Sequence, residues 1–352
     1  MEVRIYDAEM MFQGLIENQT SVMWNRKYYE PGDFQINCPS IANNMDLLKL
    51  GRLIWMRGAA EAGVIESIRM EQNAVKNDMV IKGRFLSSYM TRRLIRPTYT
   101  ATNKKIELVM RELLTNAEAI PLVQLGSLKD YSEVVTMQAT YKNLQEYETK
   151  LAKAANIGYR FRPDFTNKTI TFELYRGVDR SVAQTDVPRV IFAQTYNNIN
   201  SATYEENDQL LKTVCYVGGE GEGTDRIIQV VGDDTLTGLE RRELFLNASD
   251  ARKEDGMTDA EYRAVLTERG TNALNTAAYS QSFECVTEAN GTAFVYKTDY
   301  DLGDVVTVTK ENWGVSANLR ITGLTEVYEY GAMKVSPVFG TPLPEKIDWK
   351  EQ

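Results

Sequence analysis

Histidine is absent from the 352 residues. That removes His-based triads, imidazole-ligated zinc and imidazole acid–base catalysis together. Cysteine is scarce. Cys38, Cys215 and Cys285 are an odd, scattered set that makes neither a disulfide framework nor a C-x-x-C metal site, and they read as free thiols in a reducing compartment. No apolar run approaches the roughly 18 residues that cross a bilayer. Met1-Glu2-Val3-Arg4-Ile5-Tyr6 also lacks the basic-then-apolar order of a secretory signal. The expectation is a soluble chain made in the cytoplasm, without stable membrane binding. Basic excess is missing too: 40 Lys and Arg face 49 Asp and Glu, a net charge of −9, so nothing favours binding to nucleic-acid phosphates.

What is present is enough apolar residue, 43%, to bury real cores, on a length that suggests two or three domains. The organising stretch is Tyr29-Glu30-Pro31-Gly32-Asp33-Phe34-Gln35-Ile36, whose nearest relative is Tyr300-Asp301-Leu302-Gly303-Asp304-Val305-Val306. Each is a turn that launches a strand, Gly supplying unusual backbone angles and Asp bonding nearby N–H groups. Each is followed by a second strand-like run, Gly63 to Ile68 and Arg320 to Thr325. Two readings stand: two unrelated Gly-Asp turns, or one small β domain present twice.

Residues 1–96 read as all-β, with strand candidates at Val3–Tyr6, Ser21–Tyr29, Phe34–Cys38, Leu53–Met56, Gly63–Met70 and Met79–Arg84. In the second of these Val22, Trp24 and Tyr28 share a face and Arg26 breaks the alternation. The basic run that includes Arg92, Arg93 and Arg96 is either a solvated edge or an inter-subunit contact with acidic neighbours. Residues 97–187 form an α/β domain. Thr102 or Asn103 caps a helix with the stripe Ile106, Val109, Met110, Leu113 and Leu114. A second helix spans roughly Tyr141 to Ala155, and a hairpin turns at Asp164–Lys168. Residues 188–238 and 281–340 are expected to form the second β domain, split by a helical insertion at 239–280. Within that insertion Thr258 and Glu261 make a capping box and Gly270 bends or breaks the helix. Residues 341–352 are a C-terminal tail. The fold class is therefore α+β and β-rich, with two similar small barrel-like, tube-forming domains.

No residue is assigned to catalysis, a cofactor or a metal. Gly218-Gly219-Glu220-Gly221-Glu222-Gly223 has no Lys-Ser/Thr after it and carries two carboxylates that would repel a phosphate. Asp250–Glu261 puts Ala251 where a calcium loop needs its first ligand. Asp299, Asp301 and Asp304 fit a turn better than a cation site. No carboxylate pair stands out for glycoside hydrolysis.

Ser21-Val22-Met23-Trp24-Asn25-Arg26-Lys27-Tyr28-Tyr29-Glu30-Pro31-Gly32-Asp33-Phe34 resembles the signature of a siphophage-type tail protein family. Gly83-Arg84-Phe85-Leu86 with Arg92-Arg93, and Tyr300 to Val306 with Arg320-Ile321-Thr322, resemble its later blocks. The resemblance implies a baseplate or tail-tip hub in a virion or tail particle, made in the host bacterial cytoplasm. It implies a homotrimer whose six β domains match a six-fold tail tube to a three-fold spike, fibre or tip protein. A distal tail or tail-tube ring is then the neighbour, and DNA passes through the lumen only in transit. The charge of −9 is either lumen charge or ordinary solubility charge. The chain stops at Gln352, so a long fibre or wall-degrading domain is not expected. The alternative is a tail-associated cell-wall hydrolase or glycan-binding protein.

Overall fold

The computed structural model describes residues 2–72, 77–196, 198–199, 201–288 and 293–340, so the expected tail at 341–352 lies outside the described residues. The first region holds β1 (Val3–Tyr6), β2 (Phe12–Ile16), β3 (Ser21–Lys27), β4 (Asp33–Pro39), α1 (Ala42–Leu47), β5 (Leu53–Met56), β6 (Gly63–Gln72) and β7 (Asn77–Phe85). A 3-10 turn, Leu86–Arg92, leads to β8 (Leu94–Lys105), α2 (Ile106–Asn116), β9 (Val123–Leu125), β10 (Val134–Asn143), α3 (Leu144–Ala155), β11 (Gly158–Asp164) and β12 (Thr169–Tyr175). The remainder is β13 (Ile191–Ala193), β14 (Ser201–Asn207), β15 (Val214–Gly218), β16 (Ile228–Gly232), β17 (Glu243–Asn247), α4 (Asp259–Thr276), β18 (Ser280–Glu288), β19 (Val305–Lys310), β20 (Val315–Glu329) and β21 (Ala332–Gly340).

One 13-stranded sheet takes in both β-rich ends of the chain. Its order is β14-β18-β21-β20-β3-β4-β7-β6-β5-β1-β2, with β19 beside β20 and β13 beside β19. The path is open, and no closed barrel forms among the described strands. The two ends of the chain meet where β3 pairs antiparallel with β20, from Ser21↔Glu329 to Lys27↔Gly323. Strand alternation explains the burial. Val22, Trp24 and Arg26 of β3 and Phe34, Ile36 and Cys38 of β4 all point inward and are buried.

The two halves of this sheet repeat each other. The order β3-β4-β7-β6, with β5 beside β6, recurs as β14-β18-β21-β20, with β19 beside β20. Trp24 lies opposite Phe34, which lies opposite Gly83; Tyr204 lies opposite Phe283, which lies opposite Phe339. A bulge interrupts β6 between Ile65 and Ser67, and another interrupts β20 between Ile321 and Gly323. Gly51 N–H donates to Ile65 O at 2.9 Å and Ile65 N–H to Arg52 O at 2.9 Å; Gly303 N–H donates to Ile321 O at 2.9 Å and Ile321 N–H to Asp304 O at 2.8 Å. Both glycines have left-handed φ, +82° and +93°. The counterpart of Gly303-Asp304 is therefore Gly51-Arg52 and not Gly32-Asp33. Gly32 lacks a left-handed φ and is small for another reason: a Cβ there would come within 2.2 Å of Asn25 O and 2.6 Å of the Phe85 ring. The halves differ in the direction of one pairing, since β1 runs antiparallel to β5 whereas β13 runs parallel to β19.

Two smaller units complete the chain. In the middle third, β8 pairs with β10, and β9-β12-β11 form a separate sheet. The buried stripe Ile106, Val109, Met110, Leu113 and Leu114 of α2 shares a core with Leu144, Leu151 and Ala155 of α3 and with Leu53, Val64, Leu86 and Met90 of the first β region. The helix α2 starts at Ile106 with no side-chain cap, and Asn103 takes a left-handed φ of +46°. The other unit departs from the sequence expectation. Val214–Gly218 and Ile228–Gly232 do not join the second β sheet but pair with Glu243–Asn247 in a sheet of their own, order β16-β15-β17. Tyr262, Val265 and Leu266 of α4 close its core with Cys215, Val217 and Val231. The insertion thus runs between β14 and β18 and is wider than 239–280, and its 243–247 segment is strand where a short helix was expected. Gly270 does not break α4, which is continuous from Asp259 to Thr276. It sits against the sheet, where a Cβ would meet Val231 and Val217 at 2.7 and 2.8 Å. The capping box of Thr258 and Glu261 is present.

Candidate assembly interface

The residues that join the two β halves are those of β3 and the loop after it. Tyr28 is fully buried. Its hydroxyl donates to Tyr175 O at 3.2 Å and Asn156 O at 3.3 Å, and the Arg320 guanidinium lies 5.3 Å from its ring centre. A Cβ on Gly158 would meet the Tyr28 ring at 2.4 Å, and one on Gly303 at 2.5 Å. One aromatic ring therefore touches the first β region, the α/β unit and the second β region. Tyr28 N–H closes the junction by donating to Thr322 O at 3.0 Å.

Arg26 is the second link. Its side chain keeps the inward face of β3 and is 5% exposed. A buried guanidinium needs partners, and it has them: Arg26 Nη1 donates to Tyr296 Oη at 2.7 Å and to Asp301 Oδ1 at 2.5 Å, with Glu61 Oε2 3.9 Å from Nε. Tyr296 Oη donates to Glu326 Oε1 at 2.6 Å, Tyr328 Oη to Glu326 Oε2 at 2.5 Å, and Lys297 Nζ lies 3.1 Å from Glu326 Oε1. Burial pushes the Glu61 carboxyl up to about 7 against the pull of Arg26, and burial raises the Tyr296 and Tyr328 hydroxyls far above their ordinary range. Beside the network lies a cavity of about 180 Å³ bounded by Trp24, Arg26, Ala59, Lys297, Asp301 and Glu326. Sequence reasoning passed over Arg26 as a break in the strand pattern. The signal available was its place at i+4 from Val22 and i+2 from Trp24, which is the inward register.

The turn residues singled out in the sequence fall close to this junction but do different things. Asp33 Oδ2 accepts from Asn25 Nδ2 at 3.1 Å and faces Lys27 Nζ at 3.7 Å. Asp304, buried, accepts from Val178 N–H at 2.7 Å, Asp301 N–H at 3.1 Å and Arg180 Nε at 3.1 Å. Asp299 accepts from Val295 N–H at 2.7 Å. These carboxylates are spent on N–H donors, and among the described residues no cluster of three acidic, Cys or His side chains is placed to hold a metal. Arg92, Arg93 and Arg96 lie away from the junction. Arg92 stacks on Tyr89 at 4.7 Å, Arg93 binds Glu118 O and Ala119 O at 2.9 and 3.0 Å, and Arg96 pairs with Glu118 at 2.8 Å.

A groove of about 830 Å³ runs between β1–β2 and the β11–β12 hairpin. Tyr6 stacks on Phe165 at 3.8 Å, Trp55 leans on the same ring at 5.3 Å, and Arg4 lies over Trp55 at 5.6 Å. The carboxylates of Glu2, Asp164 and Glu173 also line it. The bond from Arg4 holds Glu2 below the usual range, and the Asn167 backbone N–H does the same for Asp164.

Known structures resemble this fold. A tail protein from Neisseria meningitidis MC58 aligns over 97% of this chain and 96% of its own, at 12% identity and a TM-score of 0.61. The 43 kDa tail protein of prophage MuSo2 from Shewanella oneidensis aligns over 96% and 98%, at 12% identity and a TM-score of 0.60. Prophage tail protein gp18 from Listeria monocytogenes EGD-e aligns over 98% and 96%, at 9% identity and a TM-score of 0.56. At such identities the likeness concerns fold. No curated protein matches the chain. A family model does, over residues 2–341, and the chain accordingly belongs to the Siphovirus ReqiPepy6 Gp37-like family of siphovirus tail proteins.

Proposed function

We propose that this protein is a structural hub of the tail tip or baseplate, working in the virion or tail particle as a trimeric ring. The observation that carries the reading is the repeated half-sheet, β3-β4-β7-β6 and β14-β18-β21-β20, fused edge to edge within one chain. Three such chains offer six similar modules, which matches a six-fold tube on one face. The units between β7 and β13 and between β14 and β18 occur once per chain, which suits a three-fold spike, fibre or tip protein on the other. A closed ring also hides sheet edges that would otherwise recruit other strands.

A wall hydrolase or glycan-binding protein is the competing reading, and the aromatic groove is its best support. Hydrolysis by paired carboxyls needs one that stays protonated near neutral pH. Glu2 and Asp164 are both held low, the reverse of that need. The deciding measurement is mass in solution, alone and mixed with the tail-tube ring protein. A trimer that binds the ring without turning over cell wall supports the hub; a monomer that releases wall fragments overturns it.

A further inference from the structure

The repeat assigns a specific contact between copies. We propose that the outer edge of β6, Ser67–Gln72, pairs antiparallel with the outer edge of β14, Ser201–Asn207, of a second copy of this chain. The inference rests on the ring reading and names the surface that closes the ring.

The template is the junction inside the chain. The strand β20 is shared, its first part, Val315–Arg320, pairing with β19 and its last part, Gly323–Glu329, with β3. Its counterpart β6 is shared only at the start. Gly63 and Val64 pair with β5, and among the described residues no strand pairs with the outer edge of Ser67–Gln72. The counterpart of β3 is β14, which has the same seven-residue length and pairs with β18 alone. A donor edge and an acceptor edge that meet in one half of the repeat are therefore both open in the other.

The bulges fix the register. Ser67 stands where Gly323 stands, and Tyr204 stands where Trp24 stands. Carrying Gly323↔Lys27 and Glu326↔Trp24 across sets Ser67 opposite Asn207, Arg69 opposite Glu205, Met70 opposite Tyr204 and Glu71 opposite Thr203 of the next copy. The side chains suit these places. Arg69 and Glu205 are opposite charges in directly facing positions, where cross-strand pairs are favourable. They take the place of Thr325 and Asn25, whose side chains bond across the inner junction at 3.2 Å. Ile68 and Met70 occupy the inward face used by Leu324 and Glu326, which are fully buried, yet Met70 is 58% exposed in the single chain. Met70 has Met79 beside it on β7 but, among the described residues, no strand on its other side, and an exposed apolar side chain there is what a second strand would cover. Each copy gives one edge and receives one, a head-to-tail contact that makes a ring when the rotation between copies closes after three.

Another open edge, β2 (Phe12–Ile16), is the rival partner for β14, and the test separates the two. Glu71→Cys with Thr203→Cys, mildly oxidised, is expected to give covalent dimers and trimers on a non-reducing gel; Gln13→Cys with Thr203→Cys is expected to stay monomeric there. The native Cys38, Cys215 and Cys285 are buried and add little background. Arg69→Glu or Glu205→Arg alone should loosen the trimer about five-fold per junction, and the two together should restore it. A trimer that cross-links through Gln13, or that ignores both charge reversals, overturns this junction and leaves the ring. A chain that remains monomeric at every concentration and beside the tail-tube ring protein overturns both.

Discussion

Arg26 Nη1 donates to Asp301 Oδ1 at 2.5 Å although 275 residues separate them. The bond ties the second strand of the inner junction to the turn that starts β19, so the two β halves share charge as well as backbone pairing. Arg26→Ala leaves Glu61 buried without its main counter-charge and takes from Asp301 and Tyr296 the guanidinium that links them to β3. The expected loss is about 3–5 kcal/mol, read by urea unfolding followed by tryptophan fluorescence. A loss under about 1 kcal/mol would mean that the network does not clamp the halves.

Glu61 predicts the direction of the pH dependence. Its folded value is raised to about 7 from an ordinary 4.5, chiefly by burial, so the folded chain holds the proton more tightly than the unfolded one. Its contribution is complete below about 4.5, declines as pH rises through 7, and then stays low. Glu61→Gln should flatten part of that slope. Glu268, also pushed up to about 7 by burial, should retain its own share. Unfolding midpoints of wild type and variant between pH 5 and 8 check this; parallel curves would refute it.

Glu148 of α3 is fully buried, and among the described residues neither of its carboxyl oxygens has a hydrogen-bond partner. Burial raises its pKa well above the ordinary value. Glu148→Leu removes an uncompensated polar group from an apolar core, so the variant should unfold at a higher temperature at pH 8. The gain should shrink at pH 4, below the ordinary value of 4.5, where the carboxyl is largely protonated in either state. Calorimetry at both pH values measures it, and a destabilised variant at pH 8 would count against it.

Gly51 and Gly303 share a left-handed backbone but not their surroundings. A Cβ at Gly51 meets nothing within 4 Å, whereas one at Gly303 meets the Tyr28 ring at 2.5 Å. Gly51→Ala should cost about 1–2 kcal/mol of conformational strain alone, and Gly303→Ala clearly more because the ring must move. Paired chemical denaturation curves decide it, and equal losses would contradict the packing account.

Much of the fold was legible where periodicity is local. The inward set of β3 and β4, the α2 stripe and the Thr258–Glu261 cap all follow from spacing within one element. The repeat was one of two open readings, and the motif offered for it pointed to the wrong register. Gly32-Asp33 copies the letters of Gly303-Asp304, whereas Gly51-Arg52 copies its hydrogen bonds, and those bonds reach a strand over ten residues away. Arg26 was misread for a related reason: a charged side chain can hold a buried position only if distant partners such as Asp301 and Glu61 arrive, and one strand's pattern does not contain them. The small unit around β15 was misassigned because Val214–Gly218 is apolar enough for either sheet. Its partner Glu243–Asn247 alternates exposed and half-buried residues, a weak signal in either direction.

The unit between β14 and β18 replaces what is, between β3 and β4, a loop of five residues, 28–32. Only one of the two sibling modules in each polypeptide bears this outgrowth. Around any annulus built from three such chains, bare and decorated wedges would alternate, so a hexagonal outline would become triangular through covalent architecture alone, before a spike had arrived to impose its own geometry.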